Sequence, residues 1–259
     1  MIKLICPVCK NVLHKKSNSY VCISNHNFDI ARSGYVNLLL NKPNSGDNKL
    51  MINARHNIHQ QGFFSKVVSK IIEMIDSNNI KTILDAGCGE GYYSREIYNA
   101  LGINICGIDV SKYAINKAKK LCPSITYVIA SNYDIPLDVE SVDAILNVFA
   151  PDFEKEFERV SKEYIIKVIP DEYHLFELKN ALYDKVIIKK PKVPSYQNFK
   201  LIDEISISYS HKANSLIDLI KMTPFYYNSK INENINIKYV TIAVKILLYK
   251  KMCNFINSL

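Results

Sequence analysis

Ile83-Leu84-Asp85-Ala86-Gly87-Cys88-Gly89-Glu90-Gly91-Tyr92 is an apolar run that ends in three alternating glycines and passes into a helical pattern. It reads as a strand, a tight turn and a helix. Glycine supplies a sharp turn and lets a ligand come close to the backbone. The next apolar run, Ile103 to Val110, carries Asp109 near its end, where a carboxylate can accept from both hydroxyls of a ribose. The Gly87, Gly89, Gly91 spacing differs from the G-x-G-x-x-G of dinucleotide sites, so a nucleoside without a pyrophosphate is the better expectation.

Outward from this unit, strand and helix patterns alternate. Tyr92 to Leu101 and Lys112 to Leu121 read as helices, and Thr126 to Ala130, Val142 to Val148 and Tyr164 to Ile169 as strands, with a Glu-rich helix from Asp152 to Val160. Such alternation predicts an α/β fold with a parallel, doubly wound sheet. Upstream, Phe64, Val67, Val68, Ile71, Ile72 and Ile75 follow the spacing of an amphipathic helix, preceded by a polar helix from Lys49 to Gln61. Downstream we expect a helix near His174 to Tyr183, a Lys/Pro loop from Lys185 to Pro194, a strand at Ile205 to Tyr209, a helix from Asn214 to Met222 and a last strand within Ile235 to Tyr249. Asn-Lys-Pro-Asn-Ser-Gly-Asp-Asn at 41–48 has linker composition. The expected organisation is therefore a module at 1–40, a linker and leading helix at 41–61, and the sheet domain at 62–259.

With 48% apolar and 22% charged residues, the 259-residue chain has ordinary globular composition, which excludes disorder and collagen. No apolar run approaches the 18 or so residues of a membrane span, and nothing reads as a signal peptide, so a cytoplasmic protein that engages no membrane is expected. The net charge of +8 is uneven: residues 1–60 hold eight Lys/Arg against Asp29 and Asp47, while residues 61–259 hold 25 against 23. A basic segment on a near-neutral body suits nucleic acid first and an acidic membrane surface second, and serves solubility alone about as readily.

That segment contains Cys6-x2-Cys9, twelve residues, then Cys22-x3-His26. This is zinc-ligand spacing, because a C-x2-C turn aims two thiolates at one ion and a second pair completes a tetrahedron. Four protein ligands leave no open position, so a structural site is expected, supplying the stability that 40 residues lack. A redox C-x-x-C pair is the alternative, and His14 is a rival fourth ligand set too far from the second Cys. Cys88, Cys106, Cys122 and Cys253 are scattered and read as small buried hydrophobes.

The combination of Asp85, Gly87, Gly89, Gly91 and Asp109 is the pattern of S-adenosylmethionine-dependent methyltransferases, with Ser131 and Asn132 expected beside the adenine or else as turn caps. Together with Cys6-x2-Cys9, Cys22-Ile-Ser-Asn-His26-Asn-Phe28-Asp29, Gly34-Tyr35-Val36-Asn37-Leu38-Leu39 and Met222-Thr223-Pro224-Phe225, the chain resembles the zinc-containing 23S ribosomal RNA guanine-N1 methyltransferases over nearly its whole length. The resemblance implies a Rossmann-like class I methyltransferase sheet with a small N-terminal zinc-binding module of Cys6, Cys9, Cys22 and His26 that positions an RNA hairpin. It implies cofactor contacts from Phe64, Gly89, Glu90 and His174. Phe64 stands where Tyr is expected, and Ser161-Lys162-Glu163-Tyr164 replaces the usual Gly-Gly turn before the fifth strand.

Methyl transfer is an in-line displacement in which alignment supplies most of the acceleration. Guanine N1 bears a proton that must leave, and it lies on the Watson–Crick edge, so a base and a looped or flipped target are needed. His174, Glu177 and Asp152 are the candidate catalytic residues, and Lys10, Lys15, Lys16 and Arg32 the candidate phosphate contacts. Two rival readings are a small-molecule methyltransferase that uses the N-terminal unit as a lid, and a non-catalytic zinc RNA-binding factor. The module's charge argues against the first, and the intact cofactor pattern against the second. Which guanine is chosen and whether a homodimer forms are left open by the sequence.

Overall fold

The computed structural model describes residues 2–41, 47–223, 226 and 237–252. The N-terminal module holds β1 (His14–Lys16), β2 (Ser19–Val21), β3 (Asn27–Asp29) and β4 (Val36–Asn37), followed by α1 (Lys49–Gln60) and α2 (Ser65–Ser77). Then come β5 (Thr82–Ala86), α3 (Tyr92–Leu101), β6 (Asn104–Asp109), α4 (Lys112–Leu121), β7 (Thr126–Ile129), β8 (Val142–Val148), α5 (Glu154–Val160) and β9 (Ser161–Pro170). The chain continues through α6 (Phe176–Leu182), β10 (Phe199–Lys212), α7 (Leu216–Lys221) and β11 (Tyr239–Lys251).

One sheet runs β10-β11-β9-β8-β5-β6-β7-β4. From β4 to β9 neighbours are parallel, as the βα alternation predicts, while β11 lies antiparallel to both β9 and β10. The sheet is therefore mixed rather than all parallel. The expected strand at Ile205 to Tyr209 is the middle of β10, whose alternating half-buried and exposed residues suit a long edge strand. The helix expected near His174 begins only at Phe176, which leaves His174 in the turn before it. Of the expected stretch Ile235 to Tyr249, residues 235–236 lie outside the described residues, as do Pro224, Phe225 and Cys253.

The period-2 pattern of the strands divides the core in two. Ile83, Ile105, Tyr127, Leu146 and Ile166 face α2, α3, α4 and α6. Leu84, Cys106, Val128, Ile145 and Ile165 face the other way, onto Leu4, Leu13, Cys22, Val36 and Leu38 of the N-terminal module and Phe157 and Val160 of α5. At about 1.5–3 kcal/mol for each such side chain buried, this contact makes the module part of the fold rather than a pendant. Backbone pairing fixes its register: Val36 pairs with Val128, Leu4 bridges Leu137, and the Ile5 N–H donates to the Pro136 carbonyl at 2.9 Å. The module thus fills much of the layer that helices occupy on the opposite face. Cys88, Cys106 and Cys122 are buried, as expected of small core residues. No helix among the described residues is long and apolar enough to cross a membrane.

Candidate functional site

In the module, two tight turns bring four ligand atoms together. The first closes through the Lys10 N–H donating to the Cys6 carbonyl, with Lys10 in the left-handed region, and the second through the Asn25 N–H donating to the Cys22 carbonyl. The Cys6, Cys9 and Cys22 sulfurs and a His26 ring nitrogen all lie within 4.8 Å of one another. Individual separations are 3.5 Å from Cys6 Sγ to His26 Nδ1, 3.5 Å from Cys9 Sγ to Cys22 Sγ, and 3.4 Å from Cys22 Sγ to His26 Nδ1. A tetrahedron with zinc–sulfur bonds of about 2.3 Å has edges of roughly 3.7 Å, so the donor set fits zinc. The backbone at Asn11 draws the Cys9 thiol down to about 5, towards the thiolate that binds metal. His14, the rival ligand, is exposed on β1 and outside the cluster.

At the carboxyl end of the sheet, the glycine turn joins β5 to α3. Its Gly87 and Cys88 N–H groups both donate to the Ile108 carbonyl at 2.9 Å. The three glycines do different work. A Cβ on Gly87 would meet Ala150 Cβ at 2.5 Å, and one on Gly91 would meet Tyr127 Oη at 2.4 Å and Ala118 Cβ at 2.9 Å. These two let neighbouring chain pack close. A Cβ on Gly89 would meet only Arg55 Nη1, at 3.6 Å, so this glycine keeps its outer side open to a ligand. Asp109 lies beside it: Oδ2 accepts from the Gly89 N–H at 3.0 Å and Oδ1 from the Ser111 N–H at 2.8 Å. Each oxygen retains a lone pair for a ribose hydroxyl, and burial pushes the carboxyl up despite those two N–H groups.

Asp85, expected among the cofactor contacts, sits beneath the turn instead. It is buried, accepts from Ser94 Oγ at 2.5 Å, and is pushed up to about 7 by burial. Its place is structural, tying β5 to the first turns of α3. The Glu90 carboxylate is likewise buried and taken up by protein partners. It accepts from His59 Nδ1 at 2.8 Å and pairs with His56 Nδ1 at 3.1 Å and Arg95 at 3.6 Å. Burial, the largest single influence, would raise Glu90, yet the His59 hydrogen bond and the surrounding charge together outweigh it and the carboxyl is held low. Burial lowers His59, so a neutral imidazole donates through Nδ1 to an ionised carboxylate. His59 stacks on Tyr92 at 4.2 Å, completing a clamp that fixes α1 over the turn. The sequence pattern gives no sign of His56, His59 and Arg55, because the two histidines meet Glu90 at 34 and 31 residues' separation, Arg55 meets Asp47 and the Met222 carbonyl, and a polar helix advertises none of these pairings.

Beyond β8 the strand end carries an aromatic cluster. Phe149 takes a left-handed φ of 52° and is 41% exposed, with its ring 5.7 Å from Phe64 and 5.4 Å from His174. Phe64 itself is buried. His174 Nδ1 accepts from the Ala243 N–H at 3.3 Å, so its proton resides on Nε2, and burial holds the imidazole down at about 4. Next to Phe149, Lys167 is a buried cation in a strand: it donates to the Ala150 carbonyl at 2.9 Å and to Asn147 Oδ1, and pairs with Asp152 Oδ2 at 3.3 Å. Tyr196 donates to the same Asp152 oxygen at 2.9 Å, so both polar side-chain contacts that Asp152 makes among the described residues fall on Oδ2. Glu177 spends both oxygens on Thr241, at 2.7 and 2.6 Å, and thereby ties α6 to β11. Ser131 caps the turn by accepting from the Tyr133 N–H, and Asn132 donates to the Pro151 carbonyl at 2.7 Å, so both hold loops at the end of β7.

Of the candidate phosphate contacts, Lys15, Lys16 and Arg32 are exposed, and Arg32 shares a surface groove with Lys120 of α4. Lys10 instead reaches across to Asp134 at 2.6 Å and helps dock the module on the sheet domain.

A mixed sheet with a glycine turn and ribose-ready carboxylate at its parallel strand ends, capped on one face by a thiolate–imidazole knuckle, defines a methyltransferase with a zinc module. Residues 4–42 match the family described as RlmA, N-terminal, and residues 83–165 the one described as Methyltransferase domain. The chain is 28% identical over 249 residues to a putative 23S rRNA (guanine-N(1)-)-methyltransferase of Bacillus subtilis, covering 86% of each. It is 30% identical over 204 residues, 69% of each chain, to a putative enzyme of the same description from Micromonospora griseorubida. It is 29% identical over 191 residues to the 23S rRNA (guanine(748)-N(1))-methyltransferase of Streptomyces fradiae, covering 69% of this chain and 67% of that one. The chain belongs to the 23S rRNA (guanine-N1)-methyltransferase family. Its cofactor is S-adenosylmethionine and its structural metal zinc. Tyr93 Oη, buried beside the turn without a hydrogen-bond partner among the described residues, is a polar atom of the kind a bound cofactor satisfies.

Proposed function

We propose that the chain transfers a methyl group from S-adenosylmethionine to N1 of a guanine in a hairpin loop of 23S ribosomal RNA. The observation that carries this reading is structural continuity. The knuckle with its exposed Lys15, Lys16 and Arg32 and the sheet whose strand ends bear the glycine turn share one buried core. One RNA held by the module therefore meets a rigidly placed pocket, which is the condition for in-line alignment.

The cofactor supplies the activated methyl group, and the residues of the chain hold, align and manage protons. Asp109 accepts from the ribose hydroxyls, Gly89 admits the cofactor against the backbone, and Phe149 offers an exposed aromatic face on which a flipped guanine can stack. His174 is a neutral Nε2 donor, which suits a hydrogen bond to an acceptor on substrate or cofactor and not removal of the N1 proton. Of the three candidates for that proton, Asp152 is the one with an oxygen, Oδ1, that has no partner among the described residues, with Lys167 and Tyr196 holding Oδ2 in place. Ribosomal RNA as substrate puts the reaction in the cytoplasm.

The test of substrate class is incubation with methyl-labelled S-adenosylmethionine and unmodified 23S RNA, 16S RNA or a small-metabolite extract. Label in 23S RNA alone is expected. Label confined to small molecules would instead support the lid reading of the module.

A further inference from the structure

Arg55 on α1 lies directly above the open glycine, since Nη1 is the nearest atom to a Cβ built on Gly89, at 3.6 Å. Its guanidinium has two partners among the described residues: Nη1 pairs with the Asp47 carboxylate, and Nη2 donates to the Met222 carbonyl at 3.3 Å. Asp47 in turn is anchored at the ribose end of the site, where its carbonyl accepts from Ser111 Oγ at 2.7 Å. Asp109 senses both, Asp47 raising and Arg55 lowering its pKa. A carboxylate, a guanidinium and the ribose acceptor therefore share one partly shielded corner, with Arg55 27% and Asp47 24% exposed.

A cofactor whose ribose rests on Asp109 and whose sulfur passes Gly89 ends in an amino acid, and a carboxylate entering such a corner requires a cation. Two guanidinium groups flank the turn. Arg95 is turned to Glu90 at 3.6 Å and Glu96 at 3.5 Å. Arg55 faces the open side of the turn, and the group that holds it is another carboxylate. We propose that Arg55 is the binding residue for the amino-acid carboxylate of S-adenosylmethionine, and that Asp47 competes with the cofactor for it. The proposal rests on the Asp109 and Gly89 reading of the cofactor site and is independent of the RNA substrate.

The test is titration calorimetry of the full zinc-loaded chain with two probes. S-adenosylhomocysteine carries the amino acid, and 5′-methylthioadenosine lacks it but keeps the ribose. Arg55→Ala is expected to weaken S-adenosylhomocysteine by about tenfold or more, the scale of a lost charge-assisted bond, and to leave methylthioadenosine unchanged. Arg55→Lys should recover part of the loss, and Asp47→Asn should tighten S-adenosylhomocysteine several-fold with no effect on methylthioadenosine. Equal weakening of both probes by Arg55→Ala, or no change in either, would overturn the assignment. Weaker S-adenosylhomocysteine binding by Asp47→Asn would overturn the competition. Asp109→Asn should weaken both probes alike, and if it weakens neither, the fault lies in the cofactor site itself.

Discussion

The zinc knuckle and the glycine turn are both short motifs with fixed spacing, yet their residues behave differently once folded. In the knuckle, Cys6, Cys9, Cys22 and His26 all converge on one point, because a metal ion accepts its ligands only at bond distance. In the turn, equally regular residues diverge. Gly87 and Gly91 admit neighbouring chain, Gly89 faces outward, Asp85 is buried under α3, and Glu90 reaches back to α1. A motif that binds by side-chain ligation assigns every one of its residues. One that binds through backbone shape leaves its side chains free for other duties.

Breaking the knuckle should have the largest effect. Cys9→Ala is expected to abolish the single bound zinc, read by metal analysis, with a loss set by apparent zinc affinities of about 10 kcal/mol or more in small zinc domains. Because Leu4, Leu13 and Val36 cover the sheet face carrying Leu84 and Val128, the melting temperature of the whole chain should fall with the metal. A metal-free variant that melted like the wild type would show the module to be an independent appendage.

Next, the turn's glycines should separate. Gly91→Ala adds a methyl 2.4 Å from Tyr127 Oη and 2.9 Å from Ala118 in a left-handed backbone, and should cost about 3 kcal/mol or more in urea unfolding. Gly89→Ala meets only the end of Arg55 and should cost about 1–2 kcal/mol for its backbone alone, while weakening cofactor binding disproportionately. Equal stability losses would erase the division of labour. Glu90→Gln keeps one acceptor for two histidines and should destabilise by about 1–3 kcal/mol, with the loosened α1 read by hydrogen exchange.

The smallest effect is a pH slope. Asp85 has a folded pKa raised to about 7 by burial against about 3.9 unfolded, so its stabilising contribution is full below pH 4 and is lost as pH rises through 7. Asp85→Asn should flatten that decline, gaining on the wild type at pH 8 and losing the advantage at pH 4. Parallel stability profiles from pH 4 to 8 would contradict the burial assigned to Asp85.

Much of this was legible because it is periodic or local. The strands from β5 to β9 announce themselves by apolar runs between helical patterns, and the knuckle by ligand spacing. What stayed hidden is long-range pairing. Nothing in Lys49 to Gln61 signals that His56 and His59 meet Glu90, and β4 is too short to stand out from the module that it joins to the sheet. Lys167 did leave a trace, as a cation inside Ile165-Ile166-Lys167-Val168-Ile169, and such a residue in a buried strand calls for partners like Asn147 and Asp152. The full length of β10 was underestimated because an edge strand has one weakly apolar face.

The central claim is that knuckle and turn together place one guanine N1 on the methyl group. It is tested most directly by digesting 23S RNA that the purified chain has methylled with labelled cofactor, and resolving the nucleosides chromatographically. The account predicts label in 1-methylguanosine alone, sited in a hairpin loop and reduced by charge reversal at Lys15 and Lys16. Label only in another methylguanosine or another base would contradict it.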